Sequence, residues 1–90
     1  MTANPAYIYP LRIDWPAVLA DIKVAGLSYR KQAAALKVEW PSHQGTMNGH
    51  EPRYSHGEAI LVLHRTWCGD EATQKRIADA RPVLDENAFT

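Results

Sequence analysis

Apolar side chains recur at three- and four-residue steps along this chain, and the breaks between the recurring stretches carry proline, glycine or serine. Trp15, Val18, Leu19 and Ile22 share such spacing, which predicts a first helix over about 16–25, opened by Pro16 and stopped by Gly26. Ser28 then predicts the cap of a second helix reaching about Leu36, with Ala33, Ala34 and Ala35 as its small face. Trp40-Pro41 repeats the Trp15-Pro16 pattern. Proline is tolerated in a first helical turn and the residue before it is pushed out of helical geometry, so both pairs read as helix starts. The third helix therefore runs from Pro41 to about Asn48, where Gly49 ends it, and Lys37, Val38 and Glu39 form the turn before it. "GHEPRY" at 49–54 reads as a loop. Ser55 and Glu58 have the spacing of a capping box just ahead of "AILVLHRTW", predicting a fourth helix over about 56–68 closed by Gly69. Asp70 is placed to cap a fifth helix to about Arg81, and Pro82 ends regular structure. The leader and the tail "VLDENAFT" read as irregular, apart from a short strand at Tyr7–Tyr9.

Ninety residues suffice for one core and not for two. The reading divides into a leader over 1–13, a core over 14–69, and a C-terminal helix and tail over 70–90 in which dimerisation is expected. The single cysteine, Cys68, excludes an internal disulfide and suits a reducing compartment. The longest aliphatic stretch, Ala59 to Leu63, is too short for a membrane span. A cytoplasmic protein with no membrane partner is the expectation. Acidic and basic side chains balance at ten each, so bulk charge points to no polyanion. Their distribution changes that picture slightly. Residues 28–54 hold Arg30, Lys31, Lys37 and Arg53 against Glu39 and Glu51, whereas residues 66–90 hold three basic against five acidic side chains.

Two short helices joined by a three-residue turn make a helix-turn-helix, whose second helix enters the major groove of DNA while the first crosses the backbone. An alanine at the crossing allows close approach, and Val38 would plug the corner. "GLSYRKQAAALKVE" resembles the phage Cro and repressor type of helix-turn-helix proteins. It has that family's Gly-Leu-Ser start, an alanine at the helix crossing (Ala33), and a Leu-x-Val before the recognition helix (Leu36, Val38). "NGHEP" is similar to the loop that follows the recognition helix, and the resemblance covers roughly residues 15 to 68. Lys37 stands where the family usually has glycine, and His43 and Thr46 stand where it usually has apolar residues facing the core.

The resemblance implies an all-α, five-helix, repressor-like domain that binds double-stranded DNA as a homodimer and regulates transcription in a phage or prophage. It calls for no cofactor. Implied base contacts are Trp40, Ser42, Gln44, Gly45 and Asn48, since Gln and Asn pair two-pronged with adenine and glycine lets the backbone approach the groove. Tyr29, Arg30 and Lys31, with Arg53 and Tyr54 from the loop, are the implied phosphate contacts. Trp40 has a second reading as a core or staple residue, and Arg30 and Lys31 a second reading as an ordinary solvated face. The dimer surface is expected either on the fifth helix with Val83, Leu84 and Phe89, or at Tyr7-Ile8-Tyr9.

A rival reading takes His50, His56, His64 and Cys68 as zinc-ligand types, His64 and Cys68 lying one helical turn apart. It would make the chain a zinc-stapled protein-interaction module; a metal-free interaction module is its close variant. A terminase small subunit, an excisionase-like protein or an antitoxin would use the same helical arrangement. No Ser-His-acid order, phosphate-cradling glycine loop or tight carboxylate pair stands out, so the sequence gives no ground for an enzyme.

Overall fold

A computed structural model describes residues 11–82. Five helices follow one another: α1 (Trp15–Ala25), α2 (Tyr29–Leu36), α3 (Trp40–Met47), α4 (Tyr54–Cys68) and α5 (Asp70–Ala78). A two-residue strand pair, β1 (Leu11–Arg12) and β2 (Arg81–Pro82), joins the two ends in antiparallel fashion, Leu11 opposite Pro82 and Arg12 opposite Arg81. The strand predicted at Tyr7–Tyr9 and the tail residues Val83, Leu84 and Phe89 lie outside the described residues. Among the described residues no helix is long and apolar enough to cross a membrane.

The core is built on one face of α1. Trp15, Val18, Leu19 and Ile22 are buried there and pack with Leu27 and with Ile60 of α4. Asp14 starts α1, its carboxylate accepting the Ala17 N–H at 3.2 Å, and Pro16 occupies the first turn at no cost in hydrogen bonds. At the other end Gly26 takes φ 125° and the Leu27 N–H reaches back to the Ile22 carbonyl at 3.1 Å. That closure needs a backbone conformation few side chains tolerate.

Helix α2 starts as predicted, with the Ser28 hydroxyl accepting the Lys31 N–H. Of its three alanines only Ala33 is buried; Ala34 and Ala35 face solvent, because successive helical residues turn by about 100° and one narrow stripe alone meets the neighbours. Gln32, beside Ala33, is fully buried. The α2 exit repeats the α1 exit, with Val38 N–H to the Ala33 carbonyl at 3.1 Å and Lys37 N–H to the Ala34 carbonyl at 3.2 Å. Lys37 sits in the left-handed region at φ 57°, ψ 41°, where a Cβ is strained by about 1–2 kcal/mol. Lys37→Gly should therefore raise stability by roughly 0.5–1 kcal/mol, the relief being partly offset by the entropy of a freer unfolded chain. The check is a higher urea midpoint with an unchanged slope; an unchanged or lower midpoint would show that no strain is stored there.

Two predicted caps differ in the structure. Helix α4 begins at Tyr54 with Arg53 as its cap residue, so Ser55 and Glu58 lie inside the helix and form no capping box. The start of the helix is packed instead: Gly57 lies close under the Trp15 ring with Pro52 near it, and the Gly57 N–H bonds the Arg53 carbonyl at 2.8 Å. At α5 the cap residue is Gly69, at φ 96° and ψ 157°. A one-residue link from α4 to α5 leaves Asp70 as the first helical residue, where its carboxylate meets Arg65 at 2.9 Å. Helix α5 ends at Ala78, short of Arg81, because the chain turns out to pair β2 with β1.

One polar cluster fastens α5 to the rest. Asp21 of α1 receives Arg76 Nε at 2.7 Å, Arg76 Nη2 at 2.9 Å and His64 Nε2 at 2.9 Å. His64 is fully buried, and its Nδ1 meets the Thr73 hydroxyl. The Arg76 guanidinium is the main cause that holds the Asp21 carboxyl below its ordinary value, with the His64 hydrogen bond adding to it and partial burial opposing it.

Candidate nucleic-acid interface

Helix α3 has eight residues, and its two faces differ sharply. His43 and Thr46 are buried, and Trp40, Gly45 and Met47 are half-buried. Pro41, Ser42, Gln44 and Asn48 are exposed. Gln44 and Asn48 stand one turn apart, so their side chains lie on one outer stripe. The Thr46 hydroxyl donates back to the Ser42 carbonyl at 3.3 Å, which accounts for its polar group on the inner face.

The inner face is held by Gln32. Its amide Nε2 donates to the Leu19 carbonyl of α1 at 3.0 Å and to the Leu27 carbonyl at 2.9 Å. Its Oε1 then accepts from His43 Nε2–H of α3 at 3.0 Å. Because both amide hydrogens are committed to carbonyls, the oxygen must face the ring, and the ring must carry its proton on Nε2. A single buried side chain thus ties α1, the α1–α2 turn and α3 to α2. His43 Nδ1 has no hydrogen-bond partner, and neither does the buried Nε2 of His56 at the start of α4. Burial, followed by the positive charge of His56, pushes His43 below the ordinary histidine value of 6.5; burial does the same to His56.

Aromatic rings flank His43. Tyr29 lies 6.4 Å and Trp40 6.0 Å from it, centroid to centroid, both tilted. Each of these rings also carries a cation: Lys23 Nζ is 5.0 Å from the Tyr29 centroid and the Arg30 guanidinium is 4.0 Å from that of Trp40. The two readings of Trp40 are therefore not exclusive, since the half-buried ring touches both His43 and an exposed arginine.

The remaining residues singled out from the sequence are distributed as follows. Lys31 is exposed near the front of α2, beside Arg30. Arg53 and Tyr54 are exposed where the loop enters α4, Tyr54 at 82%. Gly45 turns its bare Cα toward the loop: a Cβ there would lie 3.3 Å from His50 Nδ1. Its missing side chain thus lets the loop close on α3, which the His50 N–H to Gly45 carbonyl bond of 2.9 Å completes. The loop is fixed to the core by Trp15, whose Nε1 donates to Glu51 at 3.2 Å. Sequence reasoning missed Gln32, Lys23 and Asp21; a glutamine next to Ala33 on the predicted small face was the one signal for the first.

The zinc-type residues are spread apart. Both ring nitrogens of His64 are engaged by Asp21 and Thr73, and His50 is exposed against α3. Burial raises the Cys68 thiol and keeps it protonated. Among the described residues no group of three or more His, Cys, Asp or Glu side chains is placed to hold a metal ion. No protein-family model, curated protein or solved structure matches the chain significantly.

Proposed function

We propose that α2 and α3 act as a helix-turn-helix and that the chain binds double-stranded DNA sequence-specifically, as a homodimeric transcriptional regulator of phage type, a repressor. The observation that carries this reading is the two-faced α3. Its inner residues are locked to α1 and α2 across a tight left-handed turn, and its outer stripe offers Gln44 and Asn48 to solvent. At about 1.5 Å per residue, eight residues span about 12 Å, which suits a major groove about 12 Å wide. Exposed cations stand on both sides of the stripe in the chain, Arg30 and Lys31 before it and Arg53 after it. Their charge suits phosphates, and the carboxamides suit base edges.

One helix of this length reads only a few base pairs, so two copies about one DNA turn apart are needed for a selective site. Gln44→Ala should then cost on the order of 1–3 kcal/mol at the preferred site and relax base preference. Arg30→Ala should weaken all sequences alike and flatten the salt dependence. Equal losses by both variants on specific and random duplexes would contradict this division of roles. The decisive experiment is selection of bound fragments from random duplex DNA at physiological salt. A palindromic motif is the expected result. An asymmetric motif would favour a different phage DNA-handling role, and no enrichment would overturn DNA reading in favour of protein interaction.

A further inference from the structure

We propose that His43 is a positioning residue which, through Gln32, holds α3 in its DNA-reading pose, and that a second proton on its ring releases that hold. The proposal rests on the DNA-binding reading for its consequence and on the interior of the protein for its mechanism. In the neutral ring Nε2–H donates to Gln32 and the Nδ1 lone pair faces the interior with no partner. A proton arriving at Nδ1 creates a donor without an acceptor and a charge without a counter-charge. The Nε2–H bond to Gln32 survives protonation and the flanking rings tolerate a cation, but none of the neighbours is a counter-charge or an acceptor for Nδ1–H. From α4 comes His56, itself a cation once protonated. From α2 come Tyr29 and the neutral carboxamide of Gln32, and from α3 itself Trp40. Those aromatic rings already carry Lys23 of α1 and Arg30 of α2. Among the described residues the ring hydrogen-bonds to Gln32 alone, and no carboxylate bonds to it.

The sign follows from linkage. A histidine held below its ordinary value in the folded state contributes stability that is complete above 6.5, its unfolded value, and that is lost as pH falls toward the lowered folded value. The cost falls on α3, because the ring belongs to that helix and its Nδ1–H and charge can reach water only if the helix moves off the α1–α2 framework, against the bond to Gln32. DNA affinity should therefore drop on acidification. General electrostatics gives the opposite trend, since protonated histidines attract a polyanion.

The test compares the chain with His43→Gln, which keeps an N–H donor toward Gln32 and cannot titrate. Affinity for the selected duplex is measured between about pH 7.5 and about pH 5.5, the range in which histidine changes charge. The parent should weaken as pH falls through this range, and His43→Gln should stay level or tighten. Identical profiles would overturn the proposal. In parallel, amide exchange over residues 43–48 is compared between the two chains at each pH without DNA. Faster exchange in the acidified parent alone supports the mechanism even if no duplex is bound, so failure of the DNA reading is separable. Should His43→Gln not fold, the parent's own imidazole resonances decide: titration of His43 that leaves the α3 amide signals unmoved refutes it.

Discussion

Replacing Gln32 by alanine should cost about 4 kcal/mol of folding stability, close to the whole stability of a domain this size. The side chain makes three buried hydrogen bonds, to the carbonyls of Leu19 and Leu27 and from His43. Removing it strands those partners at about 1–3 kcal/mol each when they stay dry, less where relaxation admits water. A cavity adds to the loss. Urea unfolding should show the drop. Combined with His43→Ala, the second loss should be smaller than His43→Ala alone, because the two share one bond. A cost for Gln32→Ala under about 1 kcal/mol would mean that the carboxamide is not what joins these helices.

Asp21→Asn is expected to cost about 2–3 kcal/mol. The carboxylate accepts from Arg76 twice and from the buried His64 once. An amide of the same shape must turn an NH2 toward one of these donors, which sets donor against donor. The pH dependence sharpens the test. Asp21 is held below its ordinary value of 3.8, so its share of stability is present above 3.8 and is lost as pH falls through the lowered value. The gap between parent and variant, wide at neutral pH, should close below about pH 3.8, as thermal unfolding at a series of pH values would show. A gap that persists in acid would place the loss in packing and not in the charged cluster.

Helix number and order were legible because local chemistry punctuates the chain. Pro16, Gly26, Ser28, Pro41, Gly49 and Gly69 each act within a few residues of themselves, and each marks a boundary close to one in the structure. The caps misread at Ser55 and Asp70 are those where packing or a one-residue link decided the boundary. Ala34 and Ala35 read like Ala33, and only the crossing geometry separates them. What stayed hidden depends on contacts across long separations. Asp21 meets Arg76 across 55 residues and His64 across 43, so His64 read from spacing alone resembled a metal ligand. Gln32 looks like any helix-surface glutamine until the backbone carbonyls above it are located. His43 stands where an apolar residue facing the core is expected, and its bond to Gln32, which no spacing reveals, accounts for the histidine there. The exposure of Ser42, Gln44 and Asn48 followed from helical periodicity, whereas the turn of Gly45 toward His50 required the loop.

Gly57 sits under the Trp15 ring so closely that a Cβ would come within 3.1 Å of the indole and 3.6 Å of Pro52. The same indole grips Glu51 through its nitrogen, and Arg53 follows one residue after that proline. A single methyl inserted at this spot obliges the tryptophan ring to give by a few tenths of an ångström in a densely packed interior. Because that ring also holds Glu51, an interior carbon and the loop between α3 and α4 share one anchor.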